Sequence, residues 1–305
     1  MSKVSLHALK GNSYFATGIF AIGIYQHDNT TILIDSGSDD GHAKNVYDLL
    51  QAQGHSVTAI INTHCHPDHC GGNHFFQKKF PDIKIYATRD EKELIENPNL
   101  APRCFCGGAA PFAGLQHKHI APQKETCVTN VIAPYSDQKL AIGSAEIKIV
   151  TLPGHTPGSI GIITPENILY SGDALFGTET FNKHPMLFYT DIENTLASFK
   201  KLASLPVDAC VLYHGGVIYD LPNVAKQHEM RILEIKEVIL STLQQQQLSI
   251  DLLTQKIMQH YKIPDNIIPF VLTQTAVRAY LTKLEQEKAI KLMVQDGLLQ
   301  AMAII

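Results

Sequence analysis

The order of apolar and polar positions predicts layered strands and helices as far as about residue 222 and helices after it. Ser13 to Gln26 and Thr30 to Asp35 are rich in apolar and β-branched residues and read as strands, with His27-Asp28-Asn29 between them as a turn. Ser36 to Gly41 is a loop able to cap a helix running to about Gln53, and Ser56 to Asn62 is a short apolar strand. Strand, helix, strand in this order is a layered α/β pattern. The stretch Ala101 to Gln123 lacks periodicity and collects glycine, proline and cysteine, so it is expected to be a long surface loop near a site. Regular structure resumes with strands at Ala145 to Leu152, Ser159 to Ile163 and Asn167 to Tyr170, a helix from about Asp191 to Leu205, and a strand from Val207 to Tyr213.

From Asn223 the spacing changes to that of helices. Ile232, Ile235, Ile239 and Leu243 share one face, as do Leu253, Ile257 and Tyr261 in a second helix and Val277, Leu281 and Leu284 in a third. Ala289 to Ile305 reads as two apolar runs around Gln295-Asp296-Gly297, a strong hairpin signal. Three helices and a hairpin predict a winged-helix-like module over 223–305, after a first domain over 1–222.

The chemistry concentrates where strands end. His64-Cys65-His66-Pro67-Asp68-His69 follows the strand that stops at Asn62. Alternate residues of an extended segment point the same way, so His64 and His66 can grip one ion together. Pro67 suits a helix start, which turns Asp68 and His69 toward a second ion. Gly71-Gly72 permits a close backbone approach. Four metal-type side chains within six residues have no other ready explanation. His155 in Pro153-Gly154-His155-Thr156-Pro157-Gly158, Asp173 in Ser171-Gly172-Asp173 and His214 in Tyr213-His214-Gly215 each follow another strand and precede or accompany a glycine-bearing turn.

These motifs, from Asp35 to His214, resemble the metallo-β-lactamase superfamily. The resemblance implies an α+β fold, a four-layer αββα sandwich with metal ligands on loops at one edge, here followed by the winged-helix-like part. It implies two divalent metal ions, zinc first, with iron or manganese also compatible with imidazole and carboxylate ligands. His64, His66 and His155 would hold one ion, Asp68, His69 and His214 the other, and Asp173 would bridge them. Asp35 in Leu33-Ile34-Asp35-Ser36-Gly37 would support the ligand loop through a carboxylate–histidine contact. Two such ions lower the pKa of a shared water, so a bridging hydroxide exists near neutral pH, and Asp68 would hold it in line and accept a proton. Flavin-linked di-iron relatives carry a carboxylate among the first ligands, where this chain has His66. Secreted antibiotic-hydrolysing relatives replace the bridging aspartate by cysteine or lack it. The resemblance therefore points to the thioesterases and nucleases of the superfamily rather than to a true β-lactamase.

Composition narrows the partners. Net charge is −4 with histidines neutral, which gives no general attraction to nucleic acid or anionic membranes. The segment after Asn223 holds nine Lys/Arg and eight Asp/Glu, and its third helix carries Arg278 and Lys283 beside Glu285 and Glu287. Phosphate binding wants a basic face, so packing on the catalytic domain, walling its cleft or a homodimer contact is favoured over nucleic-acid binding. No basic, apolar leader precedes Lys10, and the six cysteines are expected to be free thiols in a reducing, cytoplasmic setting. The expected function is hydrolysis of a small-molecule ester or thioester; the alternative is a metal-dependent ribonuclease or phosphodiesterase acting on single-stranded RNA. A non-catalytic sensor is a third class, opposed by the complete ligand set. Weaker candidates are an extra metal site of Cys104, Cys106, His117 and His119, and substrate contacts from Lys183, His184 and Tyr189.

Overall fold

Strands that are apolar at consecutive positions are covered on both faces. In β4 (Thr30–Ile34) Ile32 and Ile34 join one core and Leu33 another; in β5 (Ala59–Ile61) Ala59 and Ile61 part from Ile60 in the same way. The structure, a computed structural model, describes residues 4–116, 120–121 and 124–304. Its first sheet has seven strands in sequence order: β1 (Ser5–Lys10), β2 (Ser13–Thr17), β3 (Ile22–His27), β4, β5, β6 (Lys84–Thr88) and β7 (Asn130–Ile132). It is antiparallel up to β4 and parallel from β4 to β7. The second sheet holds β8 (Gln138–Ile142), β9 (Ala145–Thr151), β10 (Ile160–Ile163), β11 (Ile168–Tyr170), β12 (Ala209–Leu212) and β13 (Gly216–Ile218), ordered β13-β12-β11-β10-β9-β8.

The inner faces meet through Tyr25, Ile32, Ile34 and Ile61 from the first sheet and Ile147, Ile149, Ile162 and Val211 from the second. On the outer face of the first lie α1 (Asp40–Gln51), α2 (Pro67–Cys70), α3 (Asn73–Lys79) and α4 (Arg89–Glu96), contributing Val46, Leu50, Phe76 and Ile95. After α5 (Leu100–Cys104) and α6 (Thr178–Lys183), α7 (Ile192–Ser204) covers the outer face of the second sheet with Phe199 and Leu202. The four-layer αββα sandwich is therefore present.

The C-terminal part consists of α8 (Leu221–Gln245), α9 (Ile250–His260), α10 (Ile267–Gln286) and a small sheet of β14 (Leu248–Ser249), β15 (Ile290–Gln295) and β16 (Leu298–Ala303). The predicted hairpin turns at Asp296 and Gly297, both at positive φ, as a two-residue type I′ connection requires. The expected domain boundary at 222/223 falls in the first turn of α8, whose Asp220 cap accepts from the Asn223 amide. Ile232, Ile235, Leu253 and Tyr280 share one hydrophobic cluster with Val150, Leu169, Phe199 and Leu212 of the sandwich. Each such aliphatic side chain, fully buried, contributes about 1.5–3 kcal/mol. Among the described residues no helix is long and apolar enough to cross a membrane.

Two local readings change. The run Ser13 to Gln26 is two strands, not one: the chain reverses over 18–21, pairing Ser13 with Tyr25, and the Ala21 amide bonds the Tyr213 carbonyl at 2.9 Å. Uniform apolarity hid the reversal, because both halves are buried. Among the described residues of the expected loop 101–123, α5 and a 3₁₀ turn, Ala113–Leu115, are regular; Leu115 is buried and Gly114 lies against Ile267 of α10.

Candidate metal centre

Every predicted ligand lies at the end of a strand on one edge of the sandwich, and the structure brings all seven together. After β5 the chain runs extended through His64 and His66, then Pro67 opens α2 and reverses its direction. Gly71 and Gly72 fit the close approach expected of them: a Cβ on either would sit 2.2 Å from the Ser38 or Ser36 carbonyl oxygen. The Asp173 and His214 loops are equally tight, since a Cβ on Gly177 would lie 2.4 Å from the Gly215 Cα.

Ring nitrogens converge in a first group. His66 Nδ1 stands 3.0 Å from His64 Nε2 and 2.8 Å from His155 Nε2. His155 donates its Nδ1–H to the Phe188 carbonyl at 2.7 Å, which leaves Nε2 with its lone pair facing the cluster. Burial, then the neighbouring imidazoles, hold His64 well below its ordinary pKa; burial and His66 push His155 down to about 3. Three neutral imidazoles converging on one point present lone pairs that a cation can bind together.

The second group is acidic. His214 Nε2 is 3.1 Å from Asp68 Oδ2 and 3.4 Å from Asp173 Oδ2; His69 Nε2 is 3.2 Å from Asp173 Oδ1. Asp173 Oδ2 also reaches to 3.6 Å from His155 Nε2, so this carboxylate stands between the two groups. Burial opposes charge on both partners, yet the carboxylates outweigh it and raise His214 to about 9, while His69 and His214 hold Asp68 near 2 against the same burial. Two carboxylates converging on the same imidazoles call for positive charge between them.

Asp35 has the expected supporting role. At φ +64° it accepts from the Thr63 amide and hydroxyl at 2.8 Å each and from His69 Nδ1–H at 2.7 Å. With Nδ1 committed to Asp35, Nε2 is the atom His69 aims at Asp173. Both His69 Nε2 and Asp173 Oδ1 are buried and lack a hydrogen-bond partner among the described residues. Each such atom costs about 1–3 kcal/mol unless something positive binds it. The donor set thus fits metal: three sets of ligand atoms, His64/His66/His155, His64/His69/Asp173 and Asp68/His69/His214, each fall within 4.8 Å. Asp68 and His214 remain partly open to solvent.

Several other expectations resolve differently. Tyr189, expected as a substrate contact, is buried and gives its hydroxyl to the Ala174 carbonyl at 3.2 Å, so it braces the loop after Asp173. Lys183 and His184 are exposed. Cys65 and Cys70 are buried free thiols, whereas Cys104 is exposed; His117 and His119, invoked with it, lie outside the described residues. Sequence reasoning missed Glu91, Tyr213 and His228. Tyr213 gives its hydroxyl to the Asp68 carbonyl at 2.5 Å with its ring 3.8 Å from that of His69. Its position next to His214 was the only signal.

His228, on α8, ties the C-terminal part to the centre. Its Nδ1–H donates to the Val224 carbonyl and its Nε2 accepts the Phe176 amide at 3.0 Å, in the loop that carries Asp173. Burial drives its pKa down to about 4. The unfolded chain therefore binds a proton that the folded one refuses between pH 6.5 and 4, and stability present above pH 6.5 is lost as pH falls through that window. The loss should approach 3 kcal/mol, at about 1.36 kcal/mol per unit. Denaturation midpoints across this window should fall less steeply in His228→Gln, which keeps an acceptor and does not titrate; equal slopes in the two proteins would refute the assignment.

A family model described as the metallo-beta-lactamase superfamily matches residues 19–214. A probable metallo-hydrolase of Methanocaldococcus jannaschii is 30% identical over 169 residues, which is 55% of this chain and 71% of that protein. A hydroxyacylglutathione hydrolase of a Synechococcus strain is 26% identical over 180 residues, 57% of this chain and 56% of the enzyme, so the match spans little more than half of that relative. Among solved structures, a metallo-beta-lactamase family protein of Thermus thermophilus superposes with a TM-score of 0.73 at 19% identity, covering 93% of this chain and 94% of its own. At that identity the likeness speaks for the fold alone, but it extends through the C-terminal helices.

Proposed function

The chain belongs to the metallo-β-lactamase superfamily and is a metallohydrolase, and on that premise we propose that it hydrolyses a small acyl substrate, a thioester first, with two zinc ions. His64, His66 and His155 would hold one ion, Asp68, His69 and His214 the other, with Asp173 between them. The observation that carries the reading is the complete convergence of these seven side chains, with His69 Nε2 and Asp173 Oδ1 buried and without a hydrogen-bond partner among the described residues. The ions, when bound, lower the pKa of water and polarise the attacked oxygen.

The chain's own groups do the rest. Asp68, the cluster's solvent-facing carboxylate, lies 3.1 Å from His214 and is placed to take the proton of the attacking water and return it to the leaving group. A thiolate leaves readily at neutral pH, since a free thiol has a pKa near about 8.5, so Asp68 need not be a strong acid. The rim is aromatic. The Phe20 ring meets His214 edge-on at 5.2 Å, Phe188 lies 5.9 Å from His66, and Phe105 lies 6.3 Å from Phe188. Such a rim suits an acyl chain better than a phosphate. Relatives named hydroxyacylglutathione hydrolase lend support. On the third helix Lys283 is engaged by Glu193 and Glu287, which takes one cation from any phosphate-binding face.

A panel of thioesters, lactones, phosphodiesters and single-stranded RNA, assayed against a His64→Ala control, decides the class. Thioester hydrolysis at least a hundredfold above the control is expected, with RNA intact. Metal-dependent cleavage of RNA with every thioester untouched would replace this reading by the phosphodiesterase one.

A further inference from the structure

Glu91 is almost wholly buried, at 1% exposed, yet it sits in the first turn of α4, where an acid ordinarily faces solvent. Its Oε2 accepts the Cys65 amide at 2.8 Å, from the residue between His64 and His66. Its Oε1 accepts the Thr156 hydroxyl at 2.6 Å and the Gly158 amide at 2.8 Å, from the turn just after His155. Thr88, the residue capping α4, donates to the Gly158 carbonyl at 2.8 Å, and a Cβ on Gly158 would collide with both Thr88 and Glu91. One carboxylate thus fastens together the two loops that supply His64, His66 and His155. The basic residues beside it are engaged elsewhere, Arg89 with Asp90 and Lys92 with Glu96. A buried carboxylate given hydrogen bonds but no ion-pair partner is stabilised if a positive charge lies nearby.

Glu91 mirrors Asp35. Asp35 braces Thr63 and His69 of the acidic group; Glu91 braces the loops of the all-histidine group. The three histidines carry no charge of their own, so an anion behind them supplies the attraction for a cation that their neutral rings lack.

We propose that Glu91 is a positioning residue for the ion held by His64, His66 and His155, setting the spacing of the two ligand loops and the charge behind them. The inference rests on the two-metal reading above. Outer partners of metal ligands typically change affinity about 10- to 100-fold. Zinc titrations of the full-length protein against a chromophoric chelator should resolve two binding steps. In Glu91→Gln one step should weaken by about 10- to 100-fold while the other stays close to wild type, and the melting temperature without metal should hardly move. A variant that is folded and binds zinc in both steps as tightly as wild type overturns the proposal. Equal weakening of both steps with a lowered metal-free melting temperature also overturns it, because Glu91 would then be only a structural brace. If Glu91→Gln fails to fold, Thr156→Val removes one donor and keeps the charge; the same step should weaken by a few-fold, and unchanged affinity counts against the idea. Wild-type protein that binds no zinc would instead remove the two-metal reading itself.

Discussion

Asp173→Asn should lower kcat/KM by about a thousandfold or more, roughly 4 kcal/mol of lost transition-state stabilisation, while leaving the chain folded. The carboxylate lies 3.2 Å from His69, 3.4 Å from His214 and 3.6 Å from His155, so it reaches both ligand groups. An amide of the same shape keeps the packing but removes the charge and replaces one of the carboxylate oxygens by a donor that cannot bind a cation. Phe176, Tyr189 and the Gly177–Gly215 contact hold this loop independently of the charge. The circular dichroism spectrum should therefore match the wild type, and metal content should fall. Full activity in a folded Asp173→Asn protein would contradict the bridging role.

Exhaustive chelation should abolish hydrolysis and lower the melting temperature, both restored by zinc. At metal concentrations a thousandfold above the dissociation constant, binding to the folded state alone contributes about 4 kcal/mol. Without a cation the carboxylates of the cluster draw protons onto His69 and His214; burial opposes that charge, so the site is partly compensated rather than relaxed. The two effects are read separately, by initial rates and by scanning calorimetry. Activity that survives verified metal removal would end the metallohydrolase mechanism proposed for this site.

Much of this was legible from the chain alone, for a definite reason. Strand ends at the edge of a sandwich are short, so ligands placed there stay contiguous in sequence: His64, His66, Asp68 and His69 occupy six residues, and His155, Asp173 and His214 each follow an apolar run. The helices of the C-terminal part announced themselves through Ile232, Ile235 and Ile239, and the hairpin through Asp296-Gly297. The reversal inside Ser13 to Gln26 was hidden because both of its strands are buried and equally apolar. Strands such as β1 and β7 were missed because they are short or lie at sheet edges, where burial leaves a weak pattern.

The sequence by itself determined which atoms can bind metal and that the scaffold is layered, because ligand chemistry and hydrophobic period are local properties. Tertiary structure alone decided what stands behind those ligands. Glu91 reads as an ordinary helical glutamate until α4 packs it between two loops, with its bonding partners 26 and more residues away. His228 reads as one more histidine until α8 brings it under Phe176. Which surface the C-terminal helices cover is likewise visible only in the fold, where Ile235 and Tyr280 enter the same core as Phe199 and Leu212. Burial and long-range hydrogen bonding depend on which surfaces meet, and no spacing along a single chain carries that information.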